Sequence, residues 1–151
     1  MIASTPTGSL NCAAFRTPAG QTVLIVENDP SVAQAVELSG VRIHLKADRV
    51  TDGWAAIEKL EKHDYAAIVI DADLPGFSGY GVVQFLRQEQ GEALENVIML
   101  TSGDREDVLQ KISAERLHVL RKSTPAAQLD EAMSACASSP IRLHAREHDD
   151  K

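Results

Sequence analysis

The sequence predicts an α/β fold: a doubly wound, five-stranded parallel sheet in which five strands alternate with five helices. Three observations predict it. From residue 22 onward, short apolar runs alternate with stretches whose apolar residues recur at helical spacing. Three of the runs, TVLIV, AAIVI and NVIML, are apolar almost throughout. Strands of that kind are buried on both faces, which requires helices on each side of a parallel sheet. Helix-start signals stand between runs: Asp29 before Pro30, Asp104, and Thr124 before Pro125.

Residues 1–21 are rich in Ser, Thr, Pro, Gly and Ala without periodicity, and are expected to form a flexible leader. Thr22–Val26 is the first strand. A helix over 31–38 places Val32, Ala33 and Val36 on one face, with Asp29 as N-cap and Pro30 at the first helical position. Residues 46–50 make a more polar strand, as at a sheet edge. In 53–62, Ala56, Ile57 and Leu60 share a helical face. Residues 66–70 form a second buried strand. Val82, Val83 and Leu86 mark a helix over 80–90, and 96–100 is a third buried strand. Val108, Leu109 and Ile112 stripe a helix over 104–114. A short strand follows at 117–120. Leu129, Ala132, Met133 and Cys136 then recur at i, i+3, i+4, i+7. The domain is expected to span 22–138, with a flexible polar tail at 139–151.

Composition excludes several classes. The 151 residues suffice for one domain with a core, and 44% hydrophobic with 25% charged residues is a globular balance. No apolar run approaches the ~20 residues that cross a bilayer, and the first residues lack the basic and apolar regions of a secretory signal. A net charge of −7 and no helix-turn-helix pattern after residue 137 argue against a nucleic-acid surface. Cys12 and Cys136 have no metal-site spacing and fit a reducing, cytoplasmic setting. The five histidines show no ligand spacing and are expected in solvent. Trp54 and Tyr80 are expected to pack partly against helices.

In an open parallel sheet, ligands bind beyond the carboxyl ends of the strands. Glu27, Asn28 and Asp29 follow the first strand, Asp71, Ala72 and Asp73 the third, and Thr101 and Ser102 the fourth, while Lys122 ends the fifth. Acids there suit Mg²⁺, which takes oxygen ligands. A carboxylate can be a phosphoryl nucleophile, and a hydroxyl with an ammonium can neutralise the oxygens of a transferred phosphoryl group.

VLIVENDP, YAAIVIDADLPGFSG, VIMLTS and LRKS lie in that order within residues 22–137, with Asp71 and Thr101 separated by 30 positions and Thr101 and Lys122 by 21. Together they resemble the receiver domain of two-component response regulators. The resemblance implies a flavodoxin-like (βα)5 sheet with strand order 2-1-3-4-5. It implies that Asp71 is the phospho-acceptor, served by a histidine kinase or phosphotransfer protein. It implies Mg²⁺ held by Glu27, Asn28, Asp71 and the backbone carbonyl of Asp73. Thr101 matches the switch hydroxyl, and Lys122 the lysine that pairs with the phosphorylated aspartate. A downstream protein partner is implied, self-association into a homodimer is compatible with it, and nucleic acid and membrane are not expected partners. The domain is expected to be a signalling module and not an enzyme.

Three positions depart from the family pattern. Asn28 replaces an acid that touches the metal, so Mg²⁺ is expected to bind weakly. Ser123 replaces the proline after the lysine, so the usual cis peptide is not expected. Val119 falls at the switch aromatic, with His118 as the register alternative, so the lever that carries a signal into residues 117–137 is missing. These departures support an alternative: a phosphorylation-independent pseudo-receiver acting as a protein-interaction module. A second alternative, a haloacid-dehalogenase-like phosphatase using Asp71-Ala72-Asp73, lacks that family's context, because its motif follows the first strand. Asp29 reads equally as a helix cap or as metal support. Asp73 reads as a solvated loop acid or as a replacement for the charge missing at Asn28.

Overall fold

The computed structural model describes residues 22–74, 77–90, 94–112 and 117–138. The expected leader with Cys12, and the expected tail at 139–151, lie outside these residues. Ten elements follow one another: β1 (Thr22–Val26), α1 (Pro30–Arg42), β2 (Lys46–Val50), α2 (Gly53–Lys62), β3 (Ala67–Asp71), α3 (Gly79–Gln90), β4 (Val97–Thr101), α4 (Arg105–Lys111), β5 (His118–Arg121) and α5 (Ala126–Ser138). All strands are parallel, in the order β2-β1-β3-β4-β5. This is the doubly wound parallel sheet that the apolar runs predict, in the flavodoxin-like strand order that the family resemblance implies.

Side chains alternate across the sheet and so build two cores. Leu24 and Val26 of β1 join Ile68, Ile70 and Met99 beneath α2, α3 and α4, with Ala56, Leu60, Val82, Val83, Leu86 and Val108 facing them. Val23 and Ile25 point the other way, to Val69, Ile98 and Leu100, where Ala33 and Val36 of α1 and Leu129, Met133 and Cys136 of α5 cover them. Each fully buried Val, Leu or Ile contributes about 1.5–3 kcal/mol, so β1, β3 and β4 anchor the fold. β2 is more exposed and carries Lys46 and Arg49, the charged character that protects an edge from pairing.

Element ends differ from the sequence reading. α1 extends to Arg42 instead of ending near 38, because Ser39 and Gly40 are buried and Gly40 packs on Val23 and Leu45. β3 and β4 each start and end one residue later than expected, so Asp71 and Thr101 are ladder residues rather than the residues after a strand. β5 likewise begins at His118. α4 is short, and Asp104 caps it by accepting from the Glu106 N–H. Trp54 is more exposed than expected, at 65%, and its ring packs on that of Phe77, with the ring centres 4.2 Å apart. Tyr80 is half-buried under the Lys111 ammonium, 5.3 Å from the ring centre. No peptide bond among the described residues is cis. No helix among them is long and apolar enough to cross a membrane.

Candidate functional site

Parallel strands deliver all their carboxyl ends to one edge, and the register decides which residues meet there. Val26 lies opposite Ile70, so Glu27 arrives beside Asp71. Asp71 lies opposite Leu100 and Thr101 opposite Arg121, which sets Thr101 and Lys122 one step further out. The ladder continues into the loops: Ala72 N–H donates to the Leu100 carbonyl at 2.8 Å, and Lys122 N–H to the Thr101 carbonyl at 2.8 Å.

Asp71 is 1% exposed. The Lys122 ammonium lies 3.0 Å from its Oδ1 and 3.3 Å from Oε2 of Glu27. Asp71 Oδ1 also accepts from the Asp73 N–H at 2.8 Å, which fixes the plane of the carboxylate. Gly79 makes this loop geometry attainable, since a Cβ there would lie 2.3 Å from the Asp71 carbonyl oxygen. Burial pulls the Lys122 ammonium down, but the bond to Asp71 and the charges of Glu27 and Asp71 outweigh it and leave its pKa raised. Burial pushes the Glu27 carboxyl up to about 7; the Asp29 N–H opposes this, the neighbouring Asp71 charge adds to it, and Lys122 opposes it again.

Thr101 is buried, and its Oγ1 accepts from the Gly103 N–H at 3.0 Å. Asp73 is exposed, and its carboxylate accepts from the Ser102 hydroxyl at 3.2 Å. Asn28 is exposed on the loop after β1. Asp29 takes the first of its two readings. Its Oδ1 accepts from the Ser31 N–H at 3.0 Å and the Ser31 hydroxyl at 2.9 Å, bonds that hold its pKa down. Its own N–H donates to Glu27 Oε2 at 3.1 Å. The structure therefore brings Glu27, Asp71 and Lys122 into direct contact and sets Thr101 at the next strand end. Of the site's supporting residues, Gly79 and Gly103 act through backbone contacts that have no signature in residue type beyond glycine itself.

The donor set suits a hard divalent cation. Glu27 Oε1 is buried beside Asp71 without a hydrogen-bond partner, and a cation satisfies such an oxygen. Among the described residues no group of three or more His, Cys, Asp or Glu is arranged to hold a metal. The two carboxylates of Glu27 and Asp71 are nevertheless enough for Mg²⁺, which is commonly held by one or two carboxylates and keeps several waters.

Comparison with known proteins agrees with this geometry. Residues 23–134 match the family model for the response regulator receiver domain. The chain is 35% identical over 85 residues to the transcriptional regulatory protein CutR of Streptomyces coelicolor, covering 56% of this chain and 39% of CutR. It is 31% identical over 83 residues to the transcriptional regulatory protein TcrA of Mycobacterium tuberculosis, covering 55% of this chain and 32% of TcrA. The match thus spans well under half of these relatives. Among solved structures, a putative response regulator from Chloroflexus aurantiacus superposes with a TM-score of 0.70 at 26% identity, over 79% of this chain and 98% of that one. The receiver domain of sensor histidine kinase PA1611 from Pseudomonas aeruginosa, which has a magnesium ion coordinated in its active-site cleft, superposes with a TM-score of 0.67 at 30% identity. That match covers 80% of this chain and 99% of that one. The sheet order, the strand-end acids and lysine, and the family match over 23–134 together mean that this chain belongs to the response regulator receiver domain family.

Proposed function

We propose that Asp71 accepts a phosphoryl group from a phosphohistidine of a histidine kinase or phosphotransfer protein. The observation that carries this reading is the buried Asp71 carboxylate held 3.0 Å from the Lys122 ammonium. An Asp71 carboxylate oxygen attacks phosphorus, the bond from phosphorus to the donor nitrogen breaks, and an acyl phosphate results. Lys122 neutralises charge on the carboxylate and the incoming oxygens. The Thr101 hydroxyl, at the end of the neighbouring strand, accepts from the Gly103 N–H and turns to donate its O–H to a phosphoryl oxygen. Glu27, Asn28, Asp71 and the Asp73 carbonyl would hold Mg²⁺, which supplies charge neutralisation when two anions meet. Metal affinity is weak because the Asn28 amide brings no charge. The phosphorylated domain acts on a downstream protein, as a part of signalling and not as a turnover enzyme.

Intact-mass spectrometry after acetyl phosphate and Mg²⁺ is the test. One added phosphoryl group is expected, and none in Asp71→Asn. Equal labelling of both proteins would remove Asp71 as acceptor. Light scattering on the labelled sample reads homodimer formation directly.

Asn28, an amide where the family resemblance puts an acid, favours a second reading, a pseudo-receiver that binds its partner without phosphorylation. Absence of labelling in the native chain, with its fold intact, is the result that selects it.

A further inference from the structure

Val119 stands where the family resemblance puts the switch aromatic. Its side chain is 2% exposed and too short to swing between core and surface. The backbone at the same position is engaged in another way. Lys122 N–H donates to Thr101, so along β5 the even positions turn their backbone polar groups toward β4 and the odd positions turn theirs outward. β5 is an edge strand, and among the described residues no strand lies beside the outward carbonyl of Val119. It accepts instead from Arg105 Nε, 2.7 Å away. Arg105 is the first residue of α4. Only Ser102, Gly103 and Asp104 separate it from Thr101, and Gly103 N–H is bonded back to the Thr101 hydroxyl. Deeper in, Val108 and Ile112 of the α4 segment share a buried cluster with Leu117 and Val119.

We propose that Arg105 couples the Thr101 loop to strand β5, so that the state of Asp71 reaches β5 through the Arg105–Val119 bond and not through an aromatic side chain. The proposal rests on the phospho-acceptor reading for its trigger. When the Thr101 hydroxyl turns to a phosphoryl oxygen, the Gly103 N–H loses its present acceptor and residues 102–104 rearrange. The first turn of α4 moves with them. A guanidinium bond is directional and short-ranged, so a shift of the α4 start either carries the Val119 carbonyl along or releases it to water. Those are two discrete arrangements of one edge, which is what transmission between sites requires.

The test follows two NMR signals of one peptide group, the Val119 carbonyl carbon and the Leu120 amide, in the full chain. Mg²⁺ with beryllofluoride is the probe. In the native protein it is expected to move the amides of 102–104 and the Val119–Leu120 peptide. In Arg105→Gln it is expected to move 102–104 alone. An equal response at Leu120 in both proteins overturns the proposal, as does a native response that stops at residue 104. If beryllofluoride moves nothing, the phospho-acceptor reading fails, and Thr101→Ala decides the coupling separately. It removes the Gly103 acceptor directly. A Leu120 shift caused by Thr101→Ala that vanishes in the Arg105→Gln background supports the coupling; additive shifts overturn it. Arg105 is an exposed residue, and an unchanged methyl spectrum of the core verifies that each variant is folded.

Discussion

An amide at position 28 in place of a carboxylate removes one negative charge from the edge where a cation would sit. Restoring it with Asn28→Asp is expected to tighten Mg²⁺ by on the order of 1 kcal/mol, as befits one charge at a partly solvated ion site. Mg²⁺ titration followed by amide shifts measures this; unchanged affinity would mean that Asp73 already supplies the charge. Glu27 gives a second prediction. Its carboxyl is raised from 4.5 to about 7, chiefly by burial. A raised carboxyl favours the folded state below the unfolded pKa, and that advantage is lost as pH climbs through 7. Glu27→Gln in the metal-free protein is therefore expected to leave stability near native at pH 5 and to raise it by about 1–3 kcal/mol at pH 8. Urea melts at the two pH values decide, and a destabilised variant at pH 8 would show that Lys122 needs the Glu27 charge. The meeting of Glu27, Asp71 and Lys122 was legible in the sequence because a parallel sheet gathers its strand ends; the family resemblance, not that rule, singled them out with Thr101 from the other strand-end residues. Arg105 was not legible, because its partner is a backbone carbonyl 14 positions away and backbone atoms leave no trace in residue type.

At the scale of elements, the apolar runs located every strand within one residue, and α1 and α4 were misjudged in length. α1 outran its stripe because Ser39 and Gly40, polar and small by type, are both buried in the contact with the rest of the fold. The loop after Asp71 has a packing logic that pattern reading also missed. A Cβ on Gly53 would lie 2.7 Å from the Phe77 ring, and one on Gly81 2.6 Å from it. Phe77 thus fills a slot between the starts of α2 and α3, with Trp54 stacked against it. Gly to Ala inside an exposed helix ordinarily stabilises by about 0.5–1 kcal/mol. Here the sign reverses: Gly81→Ala is expected to cost about 1–3 kcal/mol through overpacking. Adding Phe77→Leu should recover much of that cost. Thermal melts of the single and double variants test it, and a stable single variant would mean that the ring has room to tilt.

At the scale of the whole molecule, the two helical layers are held to the sheet unequally. One side carries three helices; the other carries α1 and α5, clasped by Asp130. The Asp130 carboxylate accepts from the hydroxyl of Ser39, which is fully buried, and from Arg42 at 2.7 and 3.0 Å. The Arg42 pair is solvent-exposed and by itself contributes little. The buried hydroxyl is the consequential partner, because an unsatisfied one costs about 1–3 kcal/mol. Asp130→Ala is expected to cost that much, and to act locally. Residues 126–138 and the second half of α1 should exchange their amide hydrogens faster, while β1, β3 and β4, buried on both faces, keep their protection. Bonds from Arg42 and Ser39 hold the Asp130 carboxyl below its usual range. Its contribution is therefore present at neutral pH and fades as pH falls below about 4. Native and Asp130→Ala proteins should then converge in α5 exchange under acid, after correction for intrinsic rates. Equal acceleration in β3 and α5 at neutral pH would instead mean that the clasp is part of the global core, and that the two layers open only together.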